Sequence, residues 1–321
     1  MHFRTQIPIK KSDQPIGYDS KVVSLGSCFA VNIAEKFQYF NFQNTVNPFG
    51  ILFHPLSLEK FIGFAVNRKQ FTEDDIFFHN ERWHCFDAHS ELSSINKHDM
   101  LDKLNAAVSS ANNQITQSTH IIITLGTAWV YSDIESGEMV ANCHKLPQKQ
   151  FHKKLLTVEA IGDSLMKIVA MLNNANPEIK IIFTISPVRH IKDGFVENQW
   201  SKANLISALH EFLSIPTIKF KGHYFPSYEI MMDELRDYRF YAEDMLHPNS
   251  VAVDYIWKRF SETWILENAI PIMDEVDNIR KGIAHRPFNP NSQQHKDFMH
   301  ATNKRISILQ GQFPHFTFQN T

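Results

Sequence analysis

Two short stretches far apart in the chain carry residue types that suit acyl-transfer chemistry. Val22-Val23-Ser24-Leu25-Gly26-Ser27-Cys28 places a hydroxyl and a thiol, both nucleophile-capable, just past an apolar run. Asp244-Met245-Leu246-His247-Pro248-Asn249 places a carboxylate three residues ahead of an imidazole. That spacing lets the two meet in one loop, where Asp244 would fix the tautomer of a His247 acting as base for a nucleophile elsewhere. Each stretch also has an ordinary reading: a buried, inert cysteine, and a helix start capped by Asp or Asn.

Positioning those groups requires particular elements. Residues 21–25 read as a short buried strand stopped by Gly26, and residues 29–40 as a helix with Ala30, Ile33, Ala34 and Phe37 on one side. A strand, a glycine turn and a helix in succession open many α/β enzymes. The carboxyl edge of such a strand is where ligands bind in parallel sheets. The helix also directs its N-terminal N–H groups at the same spot, favouring a thiolate or a developing oxyanion.

The rest of the chain repeats the alternation. Residues 120–125 form a nearly continuous apolar run ending at Gly126, as expected of a strand covered on both faces. Thr157 caps a helix reaching about residue 173, Asn176-Pro177 breaks it, and residues 179–185 give a third strand ending at Ser186-Pro187. Further helices are predicted over 199–212 and 251–264, with a fourth strand over 224–230. The pattern predicts an α/β three-layer sandwich with a mostly parallel central sheet and insertions. Residues 1–321 read as one domain, with 40–117 an insertion or cap and 270–321 a polar C-terminal extension along the surface.

Composition narrows the function classes. A net charge of −2 and a pI near 6.8 give no bulk attraction to nucleic acid or anionic membranes. Three widely spaced cysteines without a CxxC pair argue against a disulfide framework and fit a reducing compartment. The N-terminus lacks the apolar stretch of a secretory signal, and no uncharged apolar run reaches membrane-spanning length. The expectation is a cytoplasmic protein with neither nucleic-acid nor membrane partners.

Leu25-Gly26-Ser27-Cys28-Phe29-Ala30 contains the motif for which the GSCFA family is named, and the chain resembles that family over most of its length. Asn47-Pro48-Phe49-Gly50, Thr124-Leu125-Gly126-Thr127-Ala128-Trp129, Asn142-Cys143-His144-Lys145 and Ser186-Pro187-Val188-Arg189-His190 extend the likeness, as does the Asp244–Asn249 stretch. The family looks like a branch of the SGNH/GDSL hydrolases. That resemblance implies a flavodoxin-like fold and ester hydrolysis by a catalytic triad, without a cofactor. The substrate it implies is a small-molecule or carbohydrate ester.

Residue by residue, it places Cys28 at the nucleophile position, Ser27 where Asp is usual, and Asp244 and His247 in the base pair. Cys28 is favoured because it opens the helix at the elbow; Ser27 would attack after a one-residue shift of the turn. Gly126-Thr127-Ala128 matches the stretch whose Asn binds the oxyanion, and that Asn is absent. Gly50 is expected to supply the other backbone donor, with Asn142, Thr127 or a His compensating for the missing Asn; otherwise the catalyst is weak or inactive.

Three further readings follow. Gly162-Asp163-Ser164-Leu165 spells the literal GDSL motif but falls inside a helical pattern, where a serine lacks the exposed turn a nucleophile needs. His84, Cys85, His89, Cys143 and His144 offer metal-ligand types without paired spacing, so no metal site is assigned. His89, Asn142, His144, Arg189 and His190 are expected in the pocket, with Arg189 placed to clamp an anionic group. The alternative function is a non-catalytic glycan- or peptide-binding module on the same fold.

Overall fold

The computed structural model describes residues 5–216 and 222–318. In chain order its strands are β1 (Lys21–Gly26), β2 (Gln43–Val46), β3 (Phe77–His79), β4 (Arg82–His84), β5 (His120–Leu125), β6 (Trp129–Asp133), β7 (Met139–Val140), β8 (Phe151–Leu155), β9 (Lys180–Ile185) and β10 (Gly222–Phe225). The longer helices are α1 (Cys28–Tyr39), α2 (Pro55–Val66), α3 (Lys97–Gln117), α4 (Val158–Ala175), α5 (Phe195–Leu213), α6 (Ser250–Trp264), α7 (Ile270–Ala284) and α8 (Gln293–Gln312).

Five strands form the central sheet in the order β10-β9-β5-β1-β2, every neighbouring pair parallel. Counting only these five, the order is 2-1-3-4-5, that of a flavodoxin-like sheet. Alternate strand residues face opposite layers. Val23, Leu25, Ile121, Ile123, Ile181 and Phe183 pack with α2 to α5 through Phe61, Leu104, Leu165 and Leu205. Val22, Ile122 and Ile182 face the other way, toward α1 and α6 to α8 through Phe37, Phe260, Val276 and Leu309. Burial on both faces explains the unbroken apolar runs, and the three-layer α/β expectation holds.

Local chemistry sets the ends of these elements. Thr157 caps α4 by accepting the Ala160 N–H at 3.2 Å. Asn176 ends that helix and turns its side-chain amide onto the Ile115 and Ser118 carbonyls. The strand expected over 224–230 stops at Phe225. Pro226 has no N–H for the ladder, and Ser227 bonds sideways to the Ile185 carbonyl at 2.7 Å, so the chain turns helical instead.

Two expectations need correction. Residues 40–117 do not sit apart as a cap: β2 is an edge strand of the central sheet, and α2 and α3 bury Leu58, Phe61, Met100 and Leu104 against it. β3 and β4 pair with each other as an antiparallel hairpin outside the central sheet. The C-terminal extension is not a surface strap but carries α7 and α8. Met273, Val276 and Ile279 recur every three residues along one face and are buried, while Pro287 and Pro290 fall in the connection between the two helices. The extension's final residues, 319–321, lie outside the described residues.

α7 grips the far end of α1. Arg280 donates to the Tyr39 carbonyl at 2.6 Å, and the Tyr39 hydroxyl donates to Asp277 at 2.8 Å. Among the described residues, no helix is long and apolar enough to cross a membrane.

Candidate active site

The first and third strands of the sheet, β1 and β5, lie at the point where strand order reverses, the usual ligand position in this topology. Gly26 ends β1 with φ +127°, and a Cβ there would lie 2.1 Å from the Thr124 carbonyl oxygen of β5, so only glycine fits. The turn is fixed on three sides. The Gly26 N–H donates to Asn47 Oδ1 at 2.8 Å, the Gly26 carbonyl accepts from Leu52, and the Ser27 N–H donates to the Thr124 carbonyl.

Ser27 is the extended residue ahead of α1, fully buried, and its hydroxyl has no hydrogen-bond partner. Cys28 opens the helix and is half-buried, so the thiol is the side chain the turn presents. The thiol is nonetheless held above the ordinary range, because burial outweighs every opposing influence. Lys202 and the N–H groups of Cys28 and Phe29 act to lower it, while the charge of Asp244 pushes it higher. A thiol in that state needs a base to ionise it.

The base pair is well formed. Asp244 Oδ1 accepts the N–H groups of Leu246 and His247 at 2.9 and 3.0 Å, and Oδ2 accepts from His247 Nδ1 at 2.6 Å. Those bonds bring the Asp244 carboxyl down to about 2, with the two backbone donors the largest influences. Donation from Nδ1 leaves Nε2 as the free acceptor, the tautomer a general base requires. Met245, at φ +60°, makes the tight bend between them. Asn249 caps α6 by accepting the Ala252 N–H at 3.0 Å, so capping and pairing coexist in one loop.

Arg189 serves this loop rather than standing free as an anion clamp. Its N–H donates to the Leu246 carbonyl and its guanidinium donates to the Met245 carbonyl, both at 3.1 Å. The guanidinium also lies 5.2–5.5 Å from the ring centres of Phe195, Tyr238 and Tyr241. The next residue, His190, keeps its Nε2 buried and unpartnered, 3.3 Å from where a Cβ on Gly126 would sit. Burial first, then the charges of Lys202 and His247, lower it to about 3, so it is neutral.

The expected oxyanion donors are mostly occupied. Gly50 donates to the Asn47 carbonyl at 2.8 Å to close its own turn, and a Cβ on it would run into His89. Gly126 and Thr127 both donate to the Phe53 carbonyl. The Thr127 hydroxyl lies 3.0 Å from Ser201 Oγ and accepts from Trp129. Ala128 is fully buried, with its N–H on Ser201 Oγ. The backbone donors that face the thiol are those of Cys28 and Phe29 at the start of α1.

His144 and Asn142 sit in a different cluster. Asn142 Oδ1 accepts the His144 N–H, and His144 uses both ring nitrogens, on the Cys85 carbonyl at 2.7 Å and on Ser90 Oγ at 3.1 Å. Its ring centre lies 4.6 Å from that of His84, tilted by 39°. No group of three or more metal-ligating side chains occurs among the described residues. Ser164, of the literal GDSL, is buried in mid-α4 as expected of a decoy.

Sequence reasoning missed Lys202. On α5 the buried face runs Asn198, Ser201, Lys202, Leu205, Ala208, Leu209, at helical spacing. A lysine at a core position of that stripe was the available signal. It is 1% exposed and donates to the Gly126 and Ser186 carbonyls, each at 2.7 Å.

The sequence pattern of the GSCFA family matches residues 21–260, and that of the GSCFA domain protein, C-terminal domain, matches residues 276–321. The chain belongs to the GSCFA family. No curated protein matches it significantly. Among solved structures, it is similar to a carbohydrate esterase family 3 protein from Talaromyces cellulolyticus, with 12% identity, 51% of this chain and 66% of that chain covered, and a TM-score of 0.29. It is also similar to an acetyl xylan esterase (Est2A) from the rumen bacterium Butyrivibrio proteoclasticus, with 12% identity, 85% of this chain and 66% of that chain covered, and a TM-score of 0.36. This chain thus spans just under two thirds of the length of each, and similarity this low carries no inference about activity.

Proposed function

We propose that this protein is an acyl hydrolase with Cys28 as nucleophile and His247, oriented by Asp244, as general base. The observation that carries the reading is the Asp244–His247 bond of 2.6 Å, in a loop whose carboxylate acts electrostatically on the Cys28 thiol. His247 Nε2 takes the thiol proton as Sγ attacks the acyl carbonyl carbon. The resulting oxyanion faces the Cys28 and Phe29 N–H groups. On collapse the alkoxide leaves with the proton from His247, giving a thioester. Water, deprotonated by His247, then releases the acid and regenerates the thiol. A small-molecule or carbohydrate ester suits the reading, with no cofactor required.

Turnover of short-chain p-nitrophenyl esters tests it. Cys28→Ala and His247→Ala should each lose about a thousandfold in kcat, while Ser27→Ala, altering a buried unpartnered hydroxyl, retains most activity. Unchanged turnover in both Cys28→Ala and His247→Ala sinks the assignment. The second reading, a non-catalytic ester- or glycan-binding module, is favoured by one observation: Ala128 and the occupied N–H groups of Gly50, Gly126 and Thr127 leave few oxyanion donors. Loss of one such donor typically costs about 2.7–4 kcal/mol of transition-state stabilisation. Binding of an acylated sugar without turnover would select that reading.

A further inference from the structure

An acyl carbonyl under attack gathers negative charge on its oxygen, and catalysis needs donors placed there. Backbone donors are scarce in this site, because the N–H groups of Gly50, Gly126, Thr127 and Ala128 are already spent. Of the side chains expected to compensate, Asn142 belongs to the His144 cluster, and the Thr127 hydroxyl is engaged by Ser201 and Trp129. A histidine remains. His89 packs on Gly50, and its Nδ1 lies 3.6 Å from the Glu91 carboxylate. His190 meets the nucleophile turn.

His190 is held between the two halves of the site. Arg189, one residue earlier, is tied to the Leu246 and Met245 carbonyls in the loop that pairs Asp244 with His247. The His190 N–H donates to Asn198 Oδ1 on α5 at 2.9 Å. Its ring meets Phe53 edge-on, with centres 5.5 Å apart at 79°, and the Phe53 carbonyl is the acceptor for Gly126 and Thr127. On the other side, a Cβ on Gly126 would lie 3.3 Å from His190 Nε2 and 3.1 Å from Ser27 Cβ. The bare Cα of Gly126 therefore lets the imidazole nitrogen pack against the residue bonded to Cys28. Nε2 is buried there without a hydrogen-bond partner.

We infer that His190 is a further catalytic residue, donating from Nε2 to the acyl oxygen in place of the Asn that position 128 lacks. The inference rests on the proposed nucleophilic role of Cys28. As Sγ bonds to the carbonyl carbon, the carbonyl π pair moves onto oxygen, which takes hydrogen bonds from the Cys28 and Phe29 N–H groups and from His190. The proton of Nε2 is shared but never transferred, and Nδ1 keeps the ring's lone pair. Burial, then the charges of Lys202 and His247, keep the ring neutral. A neutral imidazole suffices to polarise a carbonyl in this way.

Two measurements test the assignment. The first is the His190 tautomer in isotopically labelled wild type, read by NMR from the ring nitrogen shifts. It should be Nε2–H, and an Nδ1–H tautomer overturns the proposal. The second uses trifluoroacetone, which forms a thiohemiketal as Sγ adds to the ketone carbon and the thiol proton passes to His247. The fluorine resonance of that adduct, assigned by its absence in Cys28→Ala, reports oxyanion stabilisation without turnover.

His190→Phe keeps a ring and removes the donor. It should weaken the adduct about tenfold or more, and lower kcat on p-nitrophenyl acetate about a hundred- to a thousandfold with KM little changed. His190→Gln, which restores an amide donor, should recover most of both. A folded His190→Phe protein with wild-type adduct stability overturns the proposal. Should that variant fail to fold, the wild-type tautomer decides. Adduct formation by a wild type that turns over no ester would count only against the hydrolase reading, and the adduct comparison would still decide the role of His190.

Discussion

The chain holds two neighbourhoods rich in cysteine and histidine, and they are built on opposite principles. Beside Cys85, both ring nitrogens of His84 and of His144 have partners: His84 meets Ser93 Oγ and the His79 carbonyl, and His144 meets Ser90 Oγ and the Cys85 carbonyl. Around Cys28, by contrast, the Ser27 hydroxyl and His190 Nε2 are buried without partners, and among the described residues the buried Lys202 meets carbonyls and no carboxylate. Native interiors rarely leave such groups unpaired without a reason. Residue type alone does not tell the two neighbourhoods apart; the hydrogen-bond accounting does.

The sharpest way to break this comparison is to exchange the damage. Cys28→Ala should remove about a thousandfold of kcat with little change in melting temperature. His144→Ala should do the reverse, costing about 2–4 kcal/mol by orphaning the Cys85 carbonyl and Ser90 hydroxyl while sparing kcat. Paired kinetics and denaturant melts check both, and an activity loss in a fully folded His144→Ala protein would merge the two neighbourhoods.

Acid should next unbalance the structural half. His54 and His144 are both lowered from 6.5 to about 4, chiefly by burial. Their folded values lie below their unfolded ones, so the unfolded chain takes up protons first. The stability they contribute is present above about 6.5 and is lost as pH falls through about 4, on the order of 2–3 kcal/mol for each group. Melting temperature against pH reads this, and the slope should flatten by about one proton in a folded His144→Gln variant.

A smaller effect is expected from Arg189→Ala. It should free the Asp244–His247 loop and lower kcat by about tenfold with KM little changed, whereas a clamp on an anionic substrate would raise KM instead. Smallest of all is Ser164→Ala, which deletes a buried hydroxyl with no partner. Stability should hold within about 0.5 kcal/mol and activity should be unaltered.

Much of the scaffold is legible in the sequence because it rests on local signals. The 21–26, 120–125 and 180–185 strands announce themselves as apolar runs ended by Gly26, Gly126 and Ser186-Pro187, and the Thr157 cap by a hydroxyl ahead of an amphipathic stretch. The Asp244–His247 pairing was legible because three residues of spacing nearly dictate it. What stayed hidden depends on distant partners. The Gly50 N–H is spent on a turn whose geometry no spacing reveals, and His144 is drawn away by the Cys85 carbonyl, 59 residues earlier. Lys202 gave no sequence signal beyond its place on a buried helix stripe, because the Gly126 and Ser186 carbonyls that hold it come from distant strand ends.

The grip of Arg280 and Asp277 on Tyr39 bears on how the two family segments work together. α1 is a rod of about 18 Å, with the thiol at one tip and the C-terminal helices fastened to the other. Its flank shares one packed core with Met273, Val276 and Leu309. A shortened chain ending after α6 would therefore lose more than an appendage. It would strip Arg280 and Asp277 from Tyr39 and leave the far end of α1 to its packing on α6, through Phe37 against Trp257 and Phe260.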